Sequence, residues 1–263
     1  MNRVVALLIF VLAAMAALIV SQALKVPART HAPVAAASAA DSAGAGPSGR
    51  TAPDTTASVV DVRESSLPAP TRDLAEIQRR LASGEAGTYI REILLQRDDN
   101  IARWPERQVE PLRVWIQPTS TLPDFRASYP VRAREAFERW MHAGVPVSYV
   151  FVIDSARADI PVTWIDHFDM PITGRTRWTR DQHWWIVGSS IEIALHHQNG
   201  DPLDPAAIHA IALHEIGHVL GLDHTQDATS IMAARVRVTE LSDSDEHTAQ
   251  LVYSLPPGSV VKP

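Results

Sequence analysis

Apolar and polar positions divide this chain into four stretches of different character. Residues 4–20 are apolar without interruption, behind a single Arg3. Small residues follow at Ser21-Gln22-Ala23, where a signal peptidase would need them, while the apolar run is barely long enough to cross a bilayer. Residues 1–23 therefore read as either a cleaved signal peptide or a single-pass anchor, and Arg3 keeps the amino terminus on the cytoplasmic side. Residues 24–70, rich in Ala, Pro, Ser, Thr and Gly, hold too little apolar surface to fold and read as a disordered linker. Residues 71–102 predict two short helices broken between Ser83 and Gly87, with Leu74, Ile77 and Leu81 on one apolar face and Tyr89, Ile90, Ile93 and Leu94 on the other. This is a helical extension or a prosegment.

From residue 103 to 263 the period alternates between that of strands and that of helices. Strands are expected at residues 112–116, 147–153 and 158–164, the last with Pro161 at an edge or a bulge. A hairpin is expected from residues 175–179 and 184–195, turning at 180–182. Helices are expected at residues 130–142, through Ala133, Ala136, Phe137 and Trp140, and at 205–220, where Asp204 can cap and Pro205 suits the first position. A closing helix follows Ser242, with Asp245 at the capping-box position. The fold class is α+β: a twisted five-stranded mixed sheet with three main helices. Internal repeats are absent.

Composition narrows this picture. Without leader, linker and extension, about 155 residues remain, enough for one domain with its own core. A net charge of −6 without a basic cluster argues against nucleic acid as a partner. Zero cysteines exclude disulfides, so stability rests on packing and on any bound metal.

The chemistry concentrates in one run. His214-Glu215-Ile216-Gly217-His218-Val219-Leu220-Gly221-Leu222-Asp223-His224 reads H-E-x-x-H-x-x-G-x-x-H. Histidines four apart on a helix share a face, so His214 and His218 can converge on one ion. Gly221 can end the helix in the left-handed region and turn the chain so that His224 completes the set. Three protein ligands leave a fourth position on Zn²⁺ for water, the pattern of catalytic sites. Glu215 would stand beside that water as general base, not as a ligand.

With these residues the chain resembles the metzincin zinc endopeptidases, whose extended motif is followed by a methionine-containing turn. Ser230-Ile231-Met232 fits that turn, and the short spacing from His224 to Met232 is similar to the matrixin branch. The resemblance runs in pieces from about residue 103 to 254 and implies a catalytic domain of zincin type with Met232 as an apolar floor beneath the histidines. It also implies an edge strand, here residues 175–179, on which an extended protein or peptide substrate pairs by its backbone. No cysteine can serve the latency switch of the vertebrate enzymes. Asp98 or Asp99 could approach the zinc instead, although paired acids near a helix end are ordinarily solvated.

Many matrixins hold a second, structural zinc, and His167 and Asp169 have the spacing of its first ligand pair, with His183 and His196 following. His183 and His196 depart from the family's strand positions and calcium-loop signatures are missing, so surface or core histidines are the default and neither a second zinc nor Ca²⁺ has support. Trp164, Trp178, Trp184 and Trp185 read as sheet packing before substrate groove. The expected protein is an exported, monomeric zinc endopeptidase, touching a membrane only through its amino-terminal segment. The rivals are a zinc-containing binding module of the same fold, which would have no chemical need for Glu215, and a zinc hydrolase acting on another bond.

Overall fold

The computed structural model describes residues 59–261. The expected leader at 1–23 and the linker as far as residue 58 lie outside the described residues. Among the described residues no helix is long and apolar enough to cross a membrane.

A six-stranded sheet carries the fold. In chain order it contains β1 (Val59–Val62), β3 (Arg107–Ile116), β4 (Val147–Phe151), β5 (Ile160–Ile165), β6 (Gly174–Arg180) and β7 (Ile186–Ala194), arranged β1-β6-β7-β5-β3-β4. Only the β6–β7 hairpin is antiparallel. A two-stranded ladder pairs β2 (Asn100–Ile101) with β8 (Gly258–Ser259). The helices are α1 (Leu74–Gly84), α2 (Ile90–Gln96), α3 (Ser128–Met141), α4 (Pro205–Val219) and α5 (Asp243–Ser254).

The α+β class holds, with one strand more than expected. Residues 59–62, assigned above to the linker, pair in parallel with Arg177–Arg180 as β1. A Val-Val-Asp-Val run is β-branched enough to join an open edge, a signal hidden by the surrounding Ala/Pro/Ser composition. Residues beyond it are tied down too: the Ser65 hydroxyl donates to Asp181 at 2.6 Å, and the Trp185 indole donates to the Pro68 carbonyl at 3.0 Å. Pro161 is likewise corrected. It lies in a central strand beside Trp115, tolerated because it precedes the β5–β7 pairing that opens at Val162.

Caps place the helices where the polar pattern puts them. The Asp204 carboxylate accepts from the Ala207 amide at 2.8 Å, and Pro205 opens α4. Ser242 and Asp245 close the capping box of α5. Helix α4 is buried almost all round, because α3 covers one side and the sheet another: the Trp140 indole donates to the Leu213 carbonyl at 2.9 Å, and the Tyr129 hydroxyl to the Leu203 carbonyl at 2.7 Å. Both bonds join an apolar body to a satisfied polar atom, which fixes α4 against its neighbour.

Candidate active site

His214 and His218 stand one turn apart on α4, each 2% exposed. The helix stops at Val219, and Gly221 takes φ +94° to reverse the chain toward His224. A side chain at Gly221 would be strained by that φ and would set its Cβ 2.1 Å from the Ala102 carbonyl oxygen, so glycine is required twice over.

The result is a triangle of Nε2 atoms, 3.1 Å between His214 and His218, 3.2 Å between His214 and His224, and 3.3 Å between His218 and His224. A tetrahedral zinc with bonds of about 2.0–2.1 Å needs nitrogens about 3.3–3.4 Å apart, so the triangle has the size of a metal site. Orientation agrees with size. Nδ1 of His214 lies 2.7 Å from the Ile231 carbonyl oxygen and Nδ1 of His218 lies 2.9 Å from that of Leu222. Each donates its Nδ1 proton there, which turns an Nε2 lone pair inward. Burial then keeps both rings neutral, and the neighbouring histidines reinforce it: His214 is pushed down to about 3 and His218 well below its ordinary value. Inward lone pairs on His214 and His218, 3.1 Å apart, repel each other unless a cation lies beside them. Among the described residues this is the one His/Cys/Asp/Glu group with atoms close enough to hold a metal.

Glu215, the next residue on α4, is fully buried. Its Oε2 accepts from the Thr176 hydroxyl at 2.7 Å, and the same hydroxyl lies 3.0 Å from the Glu215 carbonyl oxygen. Oε1 has no partner. Burial pushes this carboxyl up to about 8, against the opposing pull of Thr176 and Arg175. Room for it comes from Gly174, where a Cβ would sit 2.2 Å from Oε1. His214 and Glu215 line a cleft of about 950 Å³ whose other walls include Ile172, Ala210, Ile211, Val236 and Val238. The Glu215 carboxyl therefore faces a space large enough for a side chain, with Asp201, Asp204, Arg235 and Arg237 among its polar walls.

Met232 is fully buried under α4, its sulfur so close to Gly217 that a Cβ there would approach Sδ to 2.3 Å. Its turn is held from α5. Asp245, with no exposure, accepts from the Ser230 hydroxyl, from the Ile231 amide at 3.0 Å and from the Ser242 amide at 2.8 Å.

The four residues considered for a second zinc are not brought together. The His167 ring pairs with Asp166 at 2.7 Å, the Asp169 carbonyl receives Gln198, and the His183 amide donates to Asp181 in the β6–β7 turn. His196 instead bridges Asp166, 2.9 Å from Nδ1, and Asp124, 3.1 Å from Nε2. A ring whose two nitrogens face different carboxylates is an ion-pair bridge between two loops, not a shared ligand. Asp98 and Asp99 sit in the left-handed region, φ 49° and 58°, where they turn the chain after α2. Of the tryptophans, Trp164 and Trp178 are buried in the sheet, while Arg180 stacks on Trp184 and Arg103 on Trp185.

Sequence reasoning missed Thr176, Gly174 and the reach of Asp245, because each acts on the site across a distance in the chain that no local spacing encodes. It also missed that β6 is no free edge, since β1 occupies it from Arg177 onward.

A solved structure, the crystal structure of myroilysin, is similar at 13% identity and a TM-score of 0.40, over 58% of this chain and 86% of that one. Residues 115–254 match the Matrixin family, a span that runs from the end of β3 through α5 and covers more than half of the 263 residues. The chain belongs to the matrixin family.

Proposed function

We propose that this protein is an exported zinc endopeptidase that cleaves proteins or peptides bound in extended form. The observation that carries the reading is the inward triangle of Nε2 atoms at 3.1–3.3 Å with a buried, half-bonded Glu215 beside it. His214, His218 and His224 would hold the ion, and family membership supports zinc. Bound there, Zn²⁺ supplies a Lewis acid for the scissile carbonyl and makes the attacking water easier to deprotonate. Glu215 takes the proton from that water at Oε1 and passes it to the leaving amine, while Thr176 holds Oε2 and keeps the carboxylate from swinging away. The cleft beside His214 and Glu215 receives one bulky side chain of the substrate, and the start of β6 near Gly174, which β1 leaves uncovered, pairs with the extended chain. Export rests on residues 4–20.

The test is zinc content and cleavage of a peptide library by the purified protein and its Glu215→Ala and His218→Ala variants. One zinc per chain with chelator-sensitive cleavage is expected. Glu215→Ala should keep the metal and lose turnover; His218→Ala should lose the metal. Proteolysis retained by Glu215→Ala would contradict the mechanism, and a zinc-loaded wild type that cuts nothing would favour a binding role.

A further inference from the structure

The loop that delivers His224 is held from outside the matched family region. Residues 220–226 have a few ties of their own, such as the Thr225 amide to the Met232 carbonyl at 3.0 Å and the Leu222 amide to that of Gly217 at 2.9 Å. Several of the remaining groups are met by α2 and the residues after it. The Gln96 amide donates to the carbonyl of His224 itself at 2.8 Å. Glu92 accepts at both oxygens, from the Thr225 hydroxyl and the Gln226 amide, each at 2.8 Å. Arg97, buried and stacked over Trp178, donates to the Gly221 carbonyl at 2.9 Å and pairs with the Asp223 carboxylate at 2.5 Å. The Ala102 carbonyl fills the space that a Gly221 side chain would need, and the Trp104 indole donates to the Val219 carbonyl at 2.9 Å. Tyr89 reaches the same framework through Asp245, at 3.2 Å.

We infer that residues 89–104 form a fixed brace for the loop carrying His224, with Glu92, Gln96 and Arg97 as positioning residues, and that this stretch stays with the active enzyme instead of leaving as a prosegment. The inference rests on the reading of the three histidines as a zinc site. Two facts separate a brace from a removable plug. None of residues 89–104 lines the cleft beside His214 and Glu215, so the segment does not plug that space. Two of its side chains also donate to backbone carbonyls, of Val219 at the end of α4 and of Gly221 in the loop, so removing it would strip those carbonyls of these donors. His214 and His218 are placed by their helix; His224, on irregular backbone, depends on what holds that backbone.

The decisive experiment measures zinc affinity of the full chain by competition with a chromophoric chelator, for wild type, Arg97→Ala, Arg97→Lys and Gln96→Ala. Unfolding temperature of the zinc-free proteins reports whether each variant folds. Arg97→Ala should lose about tenfold or more in affinity, as outer-shell partners of metal ligands do. Arg97→Lys should recover part of it, because an ammonium can face Asp223 but cannot also span to the Gly221 carbonyl. Gln96→Ala, altered at an exposed side chain, should fold normally and still lose about threefold, the worth of one hydrogen bond. The intact mass of the proteolytically active species should include residues 89–104. Wild-type affinity in both Gln96→Ala and Arg97→Lys, or an active species beginning after Trp104, overturns the brace while leaving the zinc site standing. A wild type without zinc overturns both.

Discussion

Asp245 accepts the Ile231 amide at 3.0 Å, and the carbonyl of the same Ile231 lies 2.7 Å from Nδ1 of His214. One residue of the methionine turn thus links a buried carboxylate on α5 to the His214 ring on α4. Every neighbour of that carboxylate is a donor: Tyr89, Ser230, Ile231 and Ser242. Asp245→Asn would set an amide N–H₂ against these donors, and should cost about 2–4 kcal/mol of stability together with some zinc affinity. Thermal unfolding with and without chelator measures both, and an unchanged melting temperature would refute this role.

Thr176 restrains Glu215. Its hydroxyl lowers the pKa of Glu215 against the burial that raises it, so Thr176→Val should raise that pKa further. The proposed mechanism needs Glu215 ionised, so the acid limb of the kcat/KM profile should move to higher pH. kcat should fall about tenfold with little change in KM, and Thr176→Ser should restore both. A loss confined to KM would place Thr176 in substrate binding instead.

The His196 bridge predicts a pH-dependent contribution to stability. Asp124 and then Asp166 raise its pKa above 6.5 against partial desolvation, and His167 also faces Asp166. A group whose pKa is raised on folding stabilises fully below its unfolded value and loses that contribution as pH rises through the folded one. The melting-temperature gap between wild type and His196→Gln should therefore be widest near pH 6 and narrow toward pH 9. A gap independent of pH would show that the ring acts by packing alone.

β1 leaves only the start of β6, near Gly174, open for pairing with substrate, since Arg177–Arg180 are already paired. A proline at Asp61, whose amide shares the β6-facing side with that of Arg63, removes a ladder donor and should loosen β1. Long peptides that extend past the cleft on that side should then be cut about two- to tenfold faster, with short ones unaffected. Equal acceleration of both lengths, or none, would show that β1 does not compete with substrate. Peptide length series on Asp61→Pro decide it.

The legible parts of this protein were those encoded over a few residues. Helical spacing sets His214 and His218 on one face, a glycine ends that helix, and caps at Asp204 and Ser242 start α4 and α5; all of these are local consequences of backbone geometry, and the observed elements follow them. Strand alternation likewise located the β6–β7 hairpin. What adjoins the site depended on contacts between residues far apart in the chain. Thr176 meets Glu215 because β6 packs on α4, Asp245 meets Ile231 because α5 closes over the turn, and Arg97 meets Gly221 because the amino-terminal extension folds back on the loop that carries His224. The same holds for His196, whose two carboxylates come from loops 72 and 30 residues away, and for β1, whose short β-branched run acquires a partner only when the β6 edge exists. Periodicity and spacing report which face a residue occupies; which partner waits on that face is decided by packing, because the energy of a buried contact depends on both surfaces that make it.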